Sequence, residues 1–158
     1  MSTGAWIVVA AVVLALAFGL WRAATDGRFR GTHVVRPSGP SPAGGAEPVV
    51  EAAPDTTPGA DLVAAVGEEL GERATLLQFS SAFCAPCRAT RRVLGEVTGL
   101  VDGVTHVEID AEEHLEATRT LGILRTPTTI VLDASGAEVT RATGAPTRDQ
   151  VLTALARV

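Results

Sequence analysis

Two cysteines separated by two residues, Cys84 and Cys87, sit where a short apolar run gives way to an amphipathic one. They are the only cysteines in the chain. Disulfide-built domains need more than one bridge across two residues, so this pair does not staple the fold. It is either redox-active or part of a ligand set. The length of 158 residues suits one compact domain with extra segments.

The extra segments come first. Residues Ala5–Trp21 read AWIVVAAVVLALAFGLW, seventeen residues without a charge, bracketed by Trp6 and Trp21 as interfacial aromatics bracket a span. A cleaved signal peptide would want a basic leader, and Met1–Gly4 has no Lys or Arg. A lipoprotein would want a Cys after the run. The expectation is a transmembrane helix over residues 5–21, placing the chain in a membrane as a single-pass protein in contact with the lipid bilayer. Residues 22–60 are polar and then rich in Pro, Gly, Ala and Ser. They read as a flexible linker, with a short strand near Val49 and Val50.

From Asp61 the pattern tightens into a domain over residues 61–158. Asp61–Leu70 has helical spacing with Asp61 as its cap and Gly71 as its end. Ala74–Phe79 reads as a strand, and a helix opens at the Cys pair and runs to about Leu100. Val104–Ile109 is a second strand, and Ala111–Leu121 a helix closed by Gly122. Thr128–Leu132 and Glu138–Ala142 form a hairpin around Ala134–Gly136. Thr147–Ala156 is a closing helix with Thr147 as cap. The order α-β-α-β-α-β-β-α predicts an α/β fold, a mixed central sheet with helices on both faces.

Position gives the cysteines their chemistry. The first amides of a helix lack internal partners, and the helix dipole puts positive charge there. A thiolate at Cys84 is stabilised by both, and helix-start cysteines titrate in the range of about 3.5–7.5. Cys87 lies one turn on, on the same side. Pro86 costs nothing in the first turn, where its missing N–H has no partner to lose. Cys84 then attacks a disulfide and Cys87 resolves the mixed disulfide; the reverse sequence oxidises a dithiol.

Over about Asp61–Val158 the chain resembles the thioredoxin family, and its tether resembles that of membrane-anchored bacterial thioredoxin-like proteins. Phe83–Cys87, FCAPC, looks like the family's W-C-G-P-C with Phe for Trp and Ala for Gly. Ile109-Asp110 looks like the strand end after the active-site helix. Thr126-Pro127 matches the family's cis-proline, which faces the sulfurs. Gly136 and Gly144 match two further glycines. The resemblance implies a thioredoxin-like fold and a thiol–disulfide oxidoreductase needing no cofactor, with Cys84 and Cys87 catalytic and the Ala-Pro dipeptide nearer to reductants. It implies protein disulfides as substrates, contacted by Phe83, Ala85, Pro86, Thr126 and Pro127. It also implies an electron donor, either a thioredoxin reductase or a membrane thiol carrier.

Three positions depart from the family. Its buried Asp falls at Gln78, the Lys often paired with it at His106, and the helix-kinking Pro at Arg92. An amide takes no proton at neutral pH. Gln78 and His106 are therefore candidates for an altered proton path, with solvent or the helix dipole preferred over His106 as the means of activating Cys87. Arg88, Arg91 and Arg92 read as the solvated face of the helix that buries Val93, Leu94 and Val97.

The alternative function is a thioredoxin-like carrier of copper or another soft metal. A closed zinc site needs four ligands; only His33, His106 and His114 are available to join the pair, and the last two are eight apart. No metal is expected. The net charge of −5 argues against a nucleic-acid partner, and the chain is expected to act as a monomer. Arg22, Arg28, Arg30 and Arg36 follow the span, which by the positive-inside rule favours the cytoplasmic face for the domain. The likeness to tethered thiol reductases of cytochrome maturation argues for the outer face.

Overall fold

Alternation along the strand Ala74–Ser80 decides how the domain is layered. The computed structural model describes residues 3–25, 27–31 and 57–158. Ten elements occur there: α1 (Thr3–Thr25), β1 (Phe29–Gly31), α2 (Pro58–Ala65), β2 (Ala74–Ser80), α3 (Ala85–Thr98), β3 (Val104–Asp110), α4 (Leu115–Thr120), β4 (Thr128–Asp133), β5 (Glu138–Thr143) and α5 (Arg148–Leu155). β2 is buried throughout, and successive strand side chains point to opposite faces. Leu77 and Phe79 pack with Leu62 and Val63 of α2 and with Leu121 and Ile123 just after α4. Ala74 and Leu76 pack on the other face with Leu94 and Val97 of α3 and Val151 and Leu155 of α5. Each fully buried Leu, Val or Phe contributes about 1.5–3 kcal/mol of transfer free energy, so both faces of the sheet demand their helices.

The sheet order is β1-β5-β4-β2-β3. β2 and β3 are parallel, and the other neighbours are antiparallel. The sheet is therefore mixed with helices on both faces, as the element order from Asp61 onward implies.

Several boundaries differ from the sequence expectation, each for a local reason. α2 starts at Pro58, not Asp61: Thr57 is the cap, its hydroxyl accepting from the Ala60 N–H, and Pro58 takes the first helical position. Asp61 instead lies in the first turn, where a carboxylate suits the dipole. The helix stops before Gly67, whose φ of 78° an L side chain rarely adopts, so Gly71 is not its end. α4 begins at Leu115, not Ala111, because the Asp110 carboxylate accepts the Glu112 N–H and holds those residues in a turn. α5 follows the expected Thr147 cap, with a reciprocal Thr147–Gln150 capping box.

Two differences concern the expected span and linker. α1 is 23 residues long, exceeding residues 5–21 at both ends. At 1.5 Å per residue that is about 35 Å, more than a bilayer's hydrocarbon core. Its described side chains are largely exposed, and it is long and apolar enough to cross a membrane. Within residues 22–60, Phe29–Gly31 is not linker but an edge strand, pairing antiparallel with Thr140–Ala142 of β5. Phe29 packs against the α3/α5 side of the core. The expected strand at Val49 and Val50 lies outside the described residues, as does His33.

Candidate active site

The sheet's α3 face changes character along its length. At one end Ala74, Leu76 and Val104 are apolar and buried. Two residues further along the same face come Gln78 and His106, then Ser80 and Glu108, in a parallel register that sets Leu76 opposite His106 and Gln78 opposite Glu108. The N-terminal turn of α3 lies over this polar end and carries the cysteines.

Cys84 is the N-cap of α3, in extended conformation, and Cys87 lies in the first turn with only 2% exposure. The two form a disulfide of 1.98 Å across a Cα separation of 5.2 Å. Cys84 Sγ also accepts the Cys87 N–H at 3.1 Å. This is one of the amides that a helix start leaves without an internal partner, and it is aimed at the sulfur where negative charge develops on reduction. Cys84 is half-buried, while Ala85 and Pro86 between the pair are exposed. A cleft of about 190 Å³ opens beside the bridge, lined by Ser80, Ser81, Cys84, Cys87, Arg91 and Glu108 among others.

Gln78 is fully buried below α3. Its Nε2 donates to the Cys87 carbonyl at 3.1 Å, so its Oε1 faces His106 Nε2, also at 3.1 Å. An amide oxygen only accepts, so His106 donates through Nε2–H. That imidazole nitrogen therefore already carries its hydrogen. Burial, partly opposed by the nearby Glu108 charge, lowers the His106 pKa below the ordinary imidazole value, leaving the ring neutral at pH 7. Gln78 and His106 are thus brought together as the family pattern implied, as a hydrogen-bonded relay that ends on the Cys87 carbonyl.

Glu108 is the group that sequence reading missed. Its Oε1 accepts from Ser80 Oγ at 2.5 Å and from Arg91 at 2.7 Å, and Arg91 Nε meets Oε2 at 2.5 Å. Burial pushes its pKa up, but hydrogen bonds from Arg91 and Ser80, with the charges of Arg91 and His106, outweigh this and lower it. A carboxylate ionised at neutral pH therefore sits in the cleft with both cysteines. Arg91, expected on a solvated face, spans α3 and β3 to hold it.

The remaining predicted positions lie on the start of α3 and on two neighbouring loops. Phe83 is 99% exposed on the loop before α3. The Thr126–Pro127 bond is cis. The two loops are tied by a hydrogen bond of 3.1 Å between Ser81 Oγ and Thr126 Oγ1, and the Pro127 carbonyl accepts the Gly144 N–H at 2.8 Å. Among the described residues no group of three or more His, Cys, Asp or Glu is placed to hold a metal ion. Among these residues the copper-carrier alternative finds no ligand set beyond the Cys pair.

A family model described as a thioredoxin-like domain matches residues 61–158. The chain is 33% identical over 89 residues to the thioredoxin of Alicyclobacillus acidocaldarius, covering 56% of this chain and 84% of that protein. It is 34% identical over 70 residues to thioredoxin H2-1 of rice, covering 44% of this chain and half the length of that relative. The solved thioredoxin of Fasciola hepatica superposes with a TM-score of 0.52 at 24% identity, over 63% of this chain and 93% of that one. The chain belongs to the thioredoxin-like family, and its Cys84–Cys87 pair makes the domain a thiol–disulfide oxidoreductase.

Proposed function

We propose that the chain works as a disulfide reductase anchored in a membrane by α1. The observation that carries the reading is Cys84 at the open start of α3 with Cys87 buried one turn inside. The Cys84 thiolate attacks one sulfur of a substrate disulfide; that S–S bond breaks and the departing thiolate takes up a proton. Cys87, once deprotonated, attacks Cys84, re-forms the internal bridge and expels the second substrate thiol. Two electrons pass to the substrate. Phe83, Ala85, Pro86, Thr126 and Pro127 line the rim over which the substrate chain lies. An electron donor, a soluble reductase or a membrane thiol carrier, resets the pair, and the chain acts as a monomer.

Deprotonation of Cys87 falls to solvent and the helix dipole, since His106 Nε2 is already committed as a donor to Gln78. The domain sits on the cytoplasmic face, because Arg22, Arg28, Arg30 and Arg36 follow the span. The test is reduction of insulin disulfides by the full chain with a dithiol donor. Catalysis should fall to the uncatalysed background in Cys84→Ser; undiminished activity there would refute the reading. Protease added to intact protoplasts should spare the domain, and its digestion would place it outside.

A further inference from the structure

The chain enters the domain at the end of the sheet that carries the redox pair. Thr25, the last residue of α1, is two residues from Gly27, a reach of at most about 7 Å. Gly27 is already part of the domain: it is buried, and its N–H donates to the Thr143 carbonyl at 2.9 Å. A Cβ there would lie 2.3 Å from the Ala145 carbonyl oxygen, and its φ is 74°. The position therefore admits glycine alone without displacing the segment.

Register fixes which end of the sheet this is. β1 starts opposite the C-terminal end of β5, with Phe29 against Ala142. Thr143 faces Thr128 at the start of β4, and Thr128 faces Phe79 near the end of β2. From Gly27 a continuous backbone and hydrogen-bond path runs through Thr143, Gly144, Pro127 and Thr126 to Ser81, three residues before Cys84. The entry strand lies three inter-strand spacings from β2, about 14 Å.

We infer that the short α1–β1 connection holds the redox face of the domain toward the bilayer surface, so that its partners are disulfides carried there by membrane-bound proteins. This rests on the proposed anchoring role of α1. Trp21 and Arg22 mark the water boundary of that helix, and from its last residue, Thr25, to the β2 strand that leads into the Cys pair is about 20 Å, the strand spacings and the connection taken together. The rim offers what such a partner needs: Phe83 and Leu124, 99% and 95% exposed, on the two loops that the Ser81–Thr126 bond ties together. Large apolar side chains this exposed on two tied loops, one of them leading into the reactive sulfur, form a grip for apolar residues next to a partner's cysteine.

The experiment uses the full chain in phospholipid vesicles with a nitroxide on the lipid headgroup. A bimane label is placed on Cys84 in the Cys87→Ser protein. It is placed at the far end of the sheet by Asp102→Cys in a protein with both native cysteines replaced by Ser. The two ends differ by the length of β2, about 20 Å. Headgroup quenching should be ~3-fold stronger or more at position 84, since contact quenching decays within that distance. Inserting about ten Gly/Ser residues between Thr25 and Gly27 should bring the ratio to about one, because such a linker frees the domain. Equal or reversed quenching in a chain that floats with the vesicles would overturn the inference alone. A chain that does not float would overturn the anchoring reading and the inference with it.

Discussion

At position 78 an amide does what a carboxylate cannot, donating to the Cys87 carbonyl while accepting from His106. The cost is that nothing at this position ionises, and the charge of the cleft moves one strand over to Glu108. Two pH effects follow. The His106 pKa is lowered by burial, so protons bind the unfolded chain more readily than the folded one. Its stability contribution is complete above the ordinary value of about 6.5 and is lost as pH falls through the folded pKa. The Glu108 pKa is also lowered in the folded state. Its contribution is complete above the usual carboxylate value of about 4.3 and disappears as pH falls further. Urea titrations should therefore show stability declining below about pH 6.5, with His106→Gln flattening the first part of the decline and Glu108→Gln the second. A wild-type curve flat between about pH 7 and pH 5 would contradict the His106 assignment, and one flat below about pH 4.3 the Glu108 assignment. Arg91 is largely exposed, so Glu108→Gln should cost less than about 1 kcal/mol at neutral pH. Gln78 and His106 were legible in the sequence because the motif fixes their offsets. Glu108 was not, because an acidic residue in an alternating strand reads as solvent-facing. Only the pairing with β2 and the reach of Arg91 turn it into the cleft.

The elements that frame the site were legible where one strong local signal dominates. β2, β3 and β4 are bounded by turns and rich in buried apolar residues, and α5 starts where Thr147 and Gln150 form a capping box. α5 completes one face of the core through Val151 and Leu155, so its start carries more weight than its length suggests. Thr147→Ala should cost about 1 kcal/mol and lower the thermal midpoint by about 4–8 °C. Insulin reduction at room temperature should be unaltered, since Thr147 does not line the cleft; a loss of activity without a loss of stability would contradict its role as a cap alone. Competition between signals hid other boundaries. Thr57-Pro58 outcompetes Asp61 as a helix start, and the Asp110 side chain captures the residues expected to open α4. β1 was illegible for a different reason. Phe29-Arg30-Gly31 is too short for any alternation, and it is a strand only because β5 has an open edge beside it.

For the whole molecule, fold class and redox pair were readable from one segment, Phe79–Arg88, set in its strand-to-helix context. The entry of the chain at the redox end of the sheet was not readable, because it depends on β1 finding β5 far along the chain. A helix start at Cys84 and a buried resolving sulfur at Cys87 make the two cysteines inequivalent. That inequivalence is the center of the account, and trapping measures it directly. The reduced full chain carrying Cys87→Ser, mixed with a protein disulfide at neutral pH, should accumulate a mixed disulfide that mass spectrometry places on Cys84. The chain carrying Cys84→Ser should form little or none over the same time. Adducts forming equally fast on Cys87 in the second protein would contradict the assignment of Cys84 as the attacking sulfur.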